Sequence, residues 1–323
     1  MILPASPAGV EKAAETLRDG GLVALPTETV YGLGADARND AALRRIFAAK
    51  QRPVGHPLIV HLAEGADLSE WTATPSTRLA LLAKAFWPGP LTVIVPRAAG
   101  VSLVATGGHD TVALRVPAHP IFQSVLRLLG SGIAAPSANR FGAVSPTCAE
   151  HVEESLGDAV DIILDGGPCS VGLESTIVDI TSSQPTLLRP GAITQDALEH
   201  VLGEPLWQGS AVPAPGNLPS HYAPEARVEL VSEVELHTRA RSLLREGKRV
   251  AVLADTGNSL PENVLRIDWP RELDSAAARL YSALREADDT LCDVILCVPP
   301  VATGIGVAIL DRLQKAAGPR DRG

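Results

Sequence analysis

The sequence predicts a two-domain α/β protein, and three observations lead to this prediction. The chain has 323 residues, a length that suits two domains with a hydrophobic core each. Apolar runs of strand length alternate with helical patterns through the first part of the chain. A stretch rich in proline and glycine then precedes a second, shorter series of strands and helices.

The first domain is expected to contain a mixed sheet. A helical pattern from about Val10 ends at Gly20, and the strand that follows is predicted at Leu22 to Leu25. Asp40 is expected to cap the next helix. Further strands are predicted at 58–62, 91–95, 111–116, 133–135, 161–164, 175–180 and 186–188. Because close strand pairs are mixed with strand–helix alternation, we expect a twisted mixed sheet rather than a purely parallel one.

Residues 207–226 are predicted to link a first domain, 1–206, to a second domain, 227–323. Glycines and prolines at 209, 213, 215, 216, 219 and 224 argue against regular structure between Trp207 and Pro224. The prolines would also stiffen the segment, which predicts a lid over an active site rather than a passive tether. Strands at 228–231, 250–253 and 293–298 and a helix at 273–287 predict a small Rossmann-like second domain.

Composition and charge exclude several classes of protein. A net charge of −9 argues against a broad nucleic-acid surface, which needs clustered lysine and arginine. The four cysteines form no C-x-x-C pair, so reduced thiols are expected. The N-terminus lacks a secretory pattern, and the most apolar stretch, Val294 to Leu310, is interrupted by prolines and glycines. We therefore expect a soluble cytoplasmic protein without membrane contact.

Familiar catalytic motifs are missing from the sequence. It contains no G-x-x-x-x-G-K-[ST] loop, no G-x-S-x-G elbow and no H-E-x-x-H pair. Gly32, Gly34 and Ala37 imitate a dinucleotide fingerprint, but the following helix begins too late for one. His56 and His61 lack further ligands at suitable spacing, so no metal held by protein residues is predicted.

Two segments near the N-terminus instead suggest a phosphate-bearing substrate. Pro26 to Gly34 (PTETVYGLG) is a turn rich in hydroxyl groups, and Lys50 to His61 (KQRPVGHPLIVH) is a basic loop after a helix end. Cations at a helix C-terminus are favoured by the helix dipole alone. The proline and glycine after Arg52, however, fix a loop that a surface charge would not require. Hydroxyls, amides and cations in one cleft suit a phosphate ligand.

Later segments add polar groups at strand edges. Thr111, Ala113 and Arg115 share one strand face, where the arginine is either buried against a carboxylate or bound to an anionic ligand. If it binds a ligand anion, its removal should lower activity with little effect on stability. Further hydrogen-bond donors lie in the loop 135–145 and in the segments 172–177 and 188–191. Each of these segments, taken alone, could be an ordinary turn.

Together, these segments resemble the threonylcarbamoyl-AMP synthase family of the YrdC type in its longer two-domain form. The matching segments are PTETVYGLG at 26–34, K-x-RP at 50–53, HPLIVH at 56–61, WPGPLT at 87–92, LRVP at 114–117, APSAN at 135–139, LESTI at 173–177 and LRPG at 188–191. The linker at 215–224 and the end at 306–316 resemble the longer form more loosely. The resemblance implies a YrdC-like first domain and a nucleotidyltransferase.

The implied reaction joins L-threonine, bicarbonate or CO2, and ATP into threonylcarbamoyl-AMP and pyrophosphate, for N6-threonylcarbamoyladenosine in tRNA. By resemblance, Lys50 and Arg52 are catalytic, and the threonine site contains Thr29, His61, Arg115, Ala135 and Ser175. The implied ATP site contains Arg52, His56, Thr111, Ser137, Ser145, Arg189 and Tyr222. Mg²⁺ is expected to arrive with ATP, and the product is expected to pass to a tRNA threonylcarbamoyl transferase complex. A weak RNA contact stays open.

Two other functions are compatible with this domain. One is a carbamoyl transferase of the hydrogenase-maturation kind, but such proteins add an acylphosphatase region and cysteine-rich zinc fingers, which this chain lacks. The other is a non-enzymatic RNA-binding module, against which the net charge of −9 argues.

Overall fold

The computed structural model describes residues 1–208, 221–254 and 260–319. The chain divides into two compact units. The first comprises Met1–Phe141, Pro146–Ser170 and the described residues of Glu174–Asn217. The second comprises Gly142–Ser145, Val171–Leu173 and the described residues of Leu218–Gly323. Two short loops that precede the predicted linker are thus grouped with the second unit. The boundaries drawn from the sequence at 206 and 226 stay predictions.

The first unit is built on a mixed sheet of eleven strands among its described residues. The strands are β1 (Ile2–Pro4), β2 (Val23–Leu25), β3 (Gly32–Asp36), β4 (Ile59–His61), β5 (Leu91–Pro96), β6 (Thr111–Arg115), β7 (Ile133–Ala134), β8 (Ile162–Asp165), β9 (Thr176–Asp179), β10 (Thr186–Arg189) and β11 (Trp207–Gln208). Their spatial order is β1-β8-β2-β3-β7-β4-β6-β5-β9-β10-β11. Parallel pairs such as β4–β6 alternate with antiparallel pairs such as β5–β6, as predicted.

Helices of the first unit cover the sheet with their apolar faces. They are α1 (Pro7–Arg18), α2 (Asp40–Lys50), α3 (Thr77–Phe86), α4 (Pro120–Leu129), α5 (Ala149–Leu156) and α6 (Gln195–Leu202). One core contains Leu43, Ile46 and Phe47 of α2 with strand residues such as Val60 and Leu114. A second core joins α1 and α4 to β2, β7 and β8. The sheet is therefore buried on both faces over much of its width, which explains its near-continuous apolar strands.

The second unit is a smaller α/β domain. It contains β12 (Arg227–Leu230), α7 (Glu233–Arg245), β13 (Val250–Ala254), β14 (Leu265–Asp268), α8 (Leu273–Asp289), β15 (Val294–Cys297) and α9 (Gly306–Ala316). Its four strands pair in the order β12-β15-β13-β14, and every pair is parallel. This arrangement agrees with the Rossmann-like prediction.

Several local predictions need correction. Asn39, not Asp40, caps α2, because its side chain accepts a hydrogen bond from the Ala42 amide at 3.1 Å, and Asp40 is the first helical residue. Gly32 and Gly34 lie in β3, antiparallel to β2, so the turn predicted over residues 26–34 ends before Gly32. Trp207 and Gln208 form β11 beside β10, although the linker was predicted to begin there. The predicted lid falls mostly on residues 209–220, outside the described residues.

Within the described residues, no helix is both long and apolar enough to cross a membrane.

Candidate active site

One face of the first unit's sheet carries polar side chains beside a small apolar cluster. The register pairs Ile59 of β4 with Ala113 of β6, and His61 with Arg115. Residues paired across strands point to the same face. The apolar cluster on this face consists of Ile59, Ile94, Ala113, Ile177 and Leu188, and it is separate from the two larger cores. The face therefore combines an apolar floor with polar groups at the strand ends.

Arg115, at the end of β6, is buried and bound by three protein groups. Its Nη2 donates to Glu28 Oε1 at 2.7 Å, Nη1 donates to Thr29 Oγ1 at 2.9 Å, and Nε donates to the Gly89 carbonyl at 3.2 Å. The second carboxylate oxygen of Glu28 accepts the Ala118 amide at 3.1 Å. Of the five guanidinium N–H groups, two remain without a partner among the described residues. The first of the two alternatives for Arg115, burial against a carboxylate, is thus observed.

Thr29 is positioned by a turn between β2 and β3 that Thr27 organises. The Thr27 hydroxyl donates to the Val30 carbonyl at 2.7 Å and accepts the amides of Thr29 and Val30. Since its proton is used there, the contact of 2.7 Å between the two hydroxyls has Thr29 as donor. The Thr29 hydroxyl then donates its proton to Thr27 and accepts from Arg115 with one lone pair, so it belongs to an ordered hydrogen-bond network.

His61, at the end of β4, is a neutral buried imidazole. Burial and the neighbouring Arg115 charge lower the pKa of His61 to about 3. Its Nδ1 makes no hydrogen bond to any described residue, and its ring lies 5.1 Å from that of Phe122. A buried polar atom without a protein partner is available to a ligand.

Lys50 joins the end of α2 to the loop after β7. Its ammonium donates to the Ser137 carbonyl at 2.5 Å and to the Asn139 carbonyl. Burial, and next the charge of Arg52, hold the pKa of Lys50 well below its usual value. The same loop is bound from the other side, since the Leu33 amide donates to Pro136 and the Ala138 amide donates to Tyr31. The loop therefore connects the Thr29 turn to Lys50.

Arg52 and His56 lie beside Phe141 at the edge of this region. Arg52 donates to the Pro57 carbonyl at 3.0 Å, and its guanidinium lies 5.7 Å from the Phe141 ring centre. The His56 ring meets the same phenylalanine edge-on at 5.4 Å. Burial, then the Arg52 charge, lower the pKa of His56. Two basic side chains thus share one aromatic neighbour.

Ser175 and Arg189 contact each other directly. Arg189 Nε donates to the Ser175 carbonyl at 3.0 Å, and Nη2 donates to the Ser175 hydroxyl at 3.1 Å. That hydroxyl also lies 2.7 Å from the hydroxyl of Thr92 on β5. Ser175, which was predicted for the threonine site, is therefore hydrogen-bonded to Arg189, which was predicted for the ATP site.

The remaining predicted residues occupy different places. Thr111 is half-buried at the start of β6, and the Ala135 amide donates to the Ile59 carbonyl at 2.9 Å. Ser145 and Tyr222 are both buried and belong to the second unit. The first unit thus brings together Thr29 with Arg115, Lys50 with Ser137, and Ser175 with Arg189.

Sequence reasoning missed three residues of this region. Glu28 and Thr92 lie in the motifs above and Phe141 lies in the loop 135–145, but no role was predicted for them, although each contacts a predicted site residue. An arginine inside an apolar run requires a partner, but Glu28 lies 87 residues away along the chain, so no sequence signal identified it as that partner. Among the described residues, no group of three or more His, Cys, Asp or Glu side chains could hold a metal ion.

Comparison with known proteins decides the family. The family model Sua5/YciO/YrdC, described as "Telomere recombination", matches residues 15–191, and a model described as "Threonylcarbamoyl-AMP synthase, C-terminal domain" matches residues 193–318. The chain belongs to the Sua5/YciO/YrdC family. It has this family's two-domain form, since the second model matches the C-terminal part.

Relatives of the same architecture span nearly the whole chain. A Pyrococcus abyssi protein named threonylcarbamoyl-AMP synthase is 42% identical over 95% of this chain and 94% of its own length. One from Bacillus subtilis is 40% identical over 96% of this chain and 93% of its own. A structure of P. abyssi Sua5 complexed with L-threonine has a TM-score of 0.92 and 39% identity, covering 98% and 97% of the two chains. The predicted family, fold class and nucleotidyltransferase type of enzyme are confirmed.

Proposed function

We propose that this family member makes threonylcarbamoyl-AMP and pyrophosphate from L-threonine, bicarbonate or CO2, and ATP. The product serves N6-threonylcarbamoyladenosine formation in tRNA, through a tRNA threonylcarbamoyl transferase complex that consumes it. The full-length relatives named for this synthase, and the one crystallised with L-threonine, support the proposal.

The loop Ala135–Asn139 is the observation that carries the proposal. On one side it bonds to Tyr31 and Leu33, next to the Thr29 turn, and on the other it accepts both hydrogen bonds from Lys50. Residues expected around an amino acid and residues expected around phosphates therefore border one loop. A reaction that joins an amino acid to a nucleotide requires this proximity.

The threonine side is built around Arg115. Glu28 and Gly89 hold its guanidinium in place, and two N–H groups remain for the carboxylate of threonine. Neutral His61 offers Nδ1 to a polar group of the amino acid, and Thr29, Ser175 and the Ala135 backbone complete the pocket. Ala113 and its apolar neighbours on the same face suit the threonine methyl group.

The phosphate side is cationic. The neutral amine of threonine first adds to CO2 and releases a proton to solvent, which gives an N-carbamate; with bicarbonate the same carbamate forms with loss of water. A carbamate oxygen then attacks the α-phosphorus of ATP, and the bond between this phosphorus and the bridging oxygen breaks as pyrophosphate leaves. Arg52 and Arg189 offset the negative charge that develops, and so does Lys50, because phosphate anions beside it would counteract the lowering of its pKa. His56, Thr111 and Ser137 are further donors. Such a reaction needs no protein nucleophile. The ATP contacts of Ser145 and Tyr222 stay predictions.

The described residues do not suit a metal ion held by protein ligands, since they contain no cluster of carboxylates, imidazoles or thiolates of sufficient size. We propose that Mg²⁺ enters on the phosphates of ATP, and no step is assigned to it.

Label transfer tests the proposed reaction directly. The protein is incubated with [¹⁴C]bicarbonate, L-threonine and ATP, and nucleotides are separated by chromatography. The expected result is one labelled compound that contains AMP, formed only with all three substrates. Absence of label from every nucleotide, with a protein that is folded by circular dichroism, would overturn the proposal. L-serine in place of threonine should give roughly tenfold less product, the effect of one methyl group in an apolar pocket.

A further inference from the structure

A row of basic side chains runs along one face of α7 in the second unit. The helix buries Leu236, Ala240 and Leu243. His237, Arg241 and Arg245 follow one another at intervals of four residues, so they lie on one helix face. With a rise of 1.5 Å per residue, the row is about 12 Å long. Together with the segment 260–262 these three residues line an open cavity of 550 Å³. This cavity is called the α7 groove below.

The three basic residues of the α7 groove carry no ion pair or hydrogen bond within the described parts of the chain. Arg239 on the same helix differs, since it binds the Glu229 carboxylate through two hydrogen bonds of 2.7 and 2.9 Å. One carboxylate, that of exposed Glu262, also lines the groove. Two guanidiniums therefore outnumber one carboxylate, and the groove attracts anions.

The shape and the chemistry of the groove select a class of anion. Guanidinium groups bind the oxygens of phosphates and of carboxylates through paired hydrogen bonds, and the proposed role in tRNA modification favours phosphate. Arg241 and Arg245 are exposed, so the groove lacks the enclosing walls that hold a small ligand. A row of about 12 Å can instead contact several phosphates of one strand. We propose that the α7 groove binds the phosphate backbone of RNA, an inference that rests on the proposed role in tRNA modification.

The net charge of −9 limits this binding to a local patch. A broad basic surface would bind any nucleic acid strongly, whereas two arginines give weak contact that salt disrupts. The inference differs from the hypothesis of a non-enzymatic RNA-binding module. Here the RNA contact is proposed on the second unit and catalysis on the first.

Fluorescence anisotropy with a labelled, unmodified tRNA transcript tests the α7 groove. Binding by the double variant Arg241→Gln/Arg245→Gln is compared with binding by wild type at KCl concentrations between about 50 and 200 mM. A matched control, Lys12→Gln/Arg44→Gln, removes the same charge from exposed positions of α1 and α2. The groove variant should bind about tenfold more weakly, and its slope of log K against log salt should be shallower by about 1.5. The control should bind as wild type does.

Any of three results would overturn the inference. One is that the groove variant binds tRNA with the affinity and salt slope of wild type, and another is that the groove and control variants lose equal affinity. The third result is that wild type binds no tRNA at about 50 mM KCl. If wild type binds inorganic pyrophosphate but no tRNA, and only the groove variant loses the pyrophosphate binding, the groove takes a small ligand and the inference is overturned. Thermal unfolding verifies that both variants fold. Adenylate formation from small substrates should be unchanged in the groove variant, so failure of the proposed reaction is detected separately.

Discussion

Glu28 and Arg115 form a buried ion pair in which the carboxylate binds the guanidinium at 2.7 Å and the Ala118 amide at 3.1 Å. Their side chains are only 10% and 4% exposed. A buried charge that loses its partner is costly, so this pair couples the candidate ligand site to the stability of the fold. The sequence-based expectation that loss of Arg115 changes stability little assumed that only a ligand pairs with this arginine. That assumption was wrong, because Glu28 pairs with it in the fold.

The first prediction is that Arg115→Ala lowers both activity and stability. Uncompensated Glu28 should cost about 3–5 kcal/mol of unfolding free energy, which urea denaturation measures. Adding Glu28→Gln should restore part of this stability but not the affinity for threonine. Arg52→Ala is the contrasting variant: activity should fall roughly 10²-fold, because a cation proposed to face the phosphates of ATP is lost. Full activity of folded Arg115→Ala would show a purely structural pair.

A second prediction concerns the pH dependence that His61 confers. Its pKa is about 3 in the fold, below the unfolded value of about 6.5, so the unfolded chain binds the extra proton between these values. The neutral imidazole therefore contributes stability that is fully present above about pH 6.5 and is lost as the pH falls toward 3. His61→Gln should flatten this slope by up to about 1.4 kcal/mol per pH unit. The control variant His200→Gln, at an exposed position of α6, should leave the slope unchanged. Equal slopes in wild type and His61→Gln would contradict a role of His61 in this pH dependence.

The third prediction separates two roles of Lys50. Because its ammonium binds the Ser137 and Asn139 carbonyls, Lys50→Met should speed amide hydrogen exchange in the loop 135–141 and raise KM for ATP. Lys84→Met, at an exposed position of α3, is the control and should change neither. A fall in kcat with wild-type exchange in the loop would assign Lys50 to chemistry alone.

The sequence predicted most strands correctly because they are buried, apolar runs, but it could not predict partners that are distant along the chain. Arg115 and Glu28 are 87 residues apart, and Lys50 and Asn139 are 89 apart. β3 was missed because glycine has low strand propensity. At Gly34, however, a Cβ would lie 2.9 Å from an Ile133 side-chain methyl and 3.1 Å from the Val23 carbonyl, so close strand packing requires glycine there. Motifs predicted the residues of the candidate site, whereas the contacts among these residues needed the fold.

A fourth prediction addresses Tyr222, for which a nucleotide contact was expected. Its ring is 1% exposed, lies 5.2 Å from the Arg312 guanidinium and 5.7 Å from the Tyr281 ring, and its φ is +60°. Tyr222→Ala should therefore destabilise the second unit by about 3–5 kcal/mol, measured by thermal or urea unfolding. Tyr222→Phe keeps the ring and should retain that stability, so its KM for ATP reports on the hydroxyl alone. An unchanged melting curve for Tyr222→Ala would contradict the packing role.

Pyrophosphate release measured with each substrate omitted in turn tests the central claim most directly. Residues suited to an amino acid and residues suited to phosphates border one loop, so the account predicts release only when L-threonine, bicarbonate and ATP are all present. Equal release with ATP alone would show hydrolysis of ATP to AMP and pyrophosphate without threonine or bicarbonate, and would contradict the account.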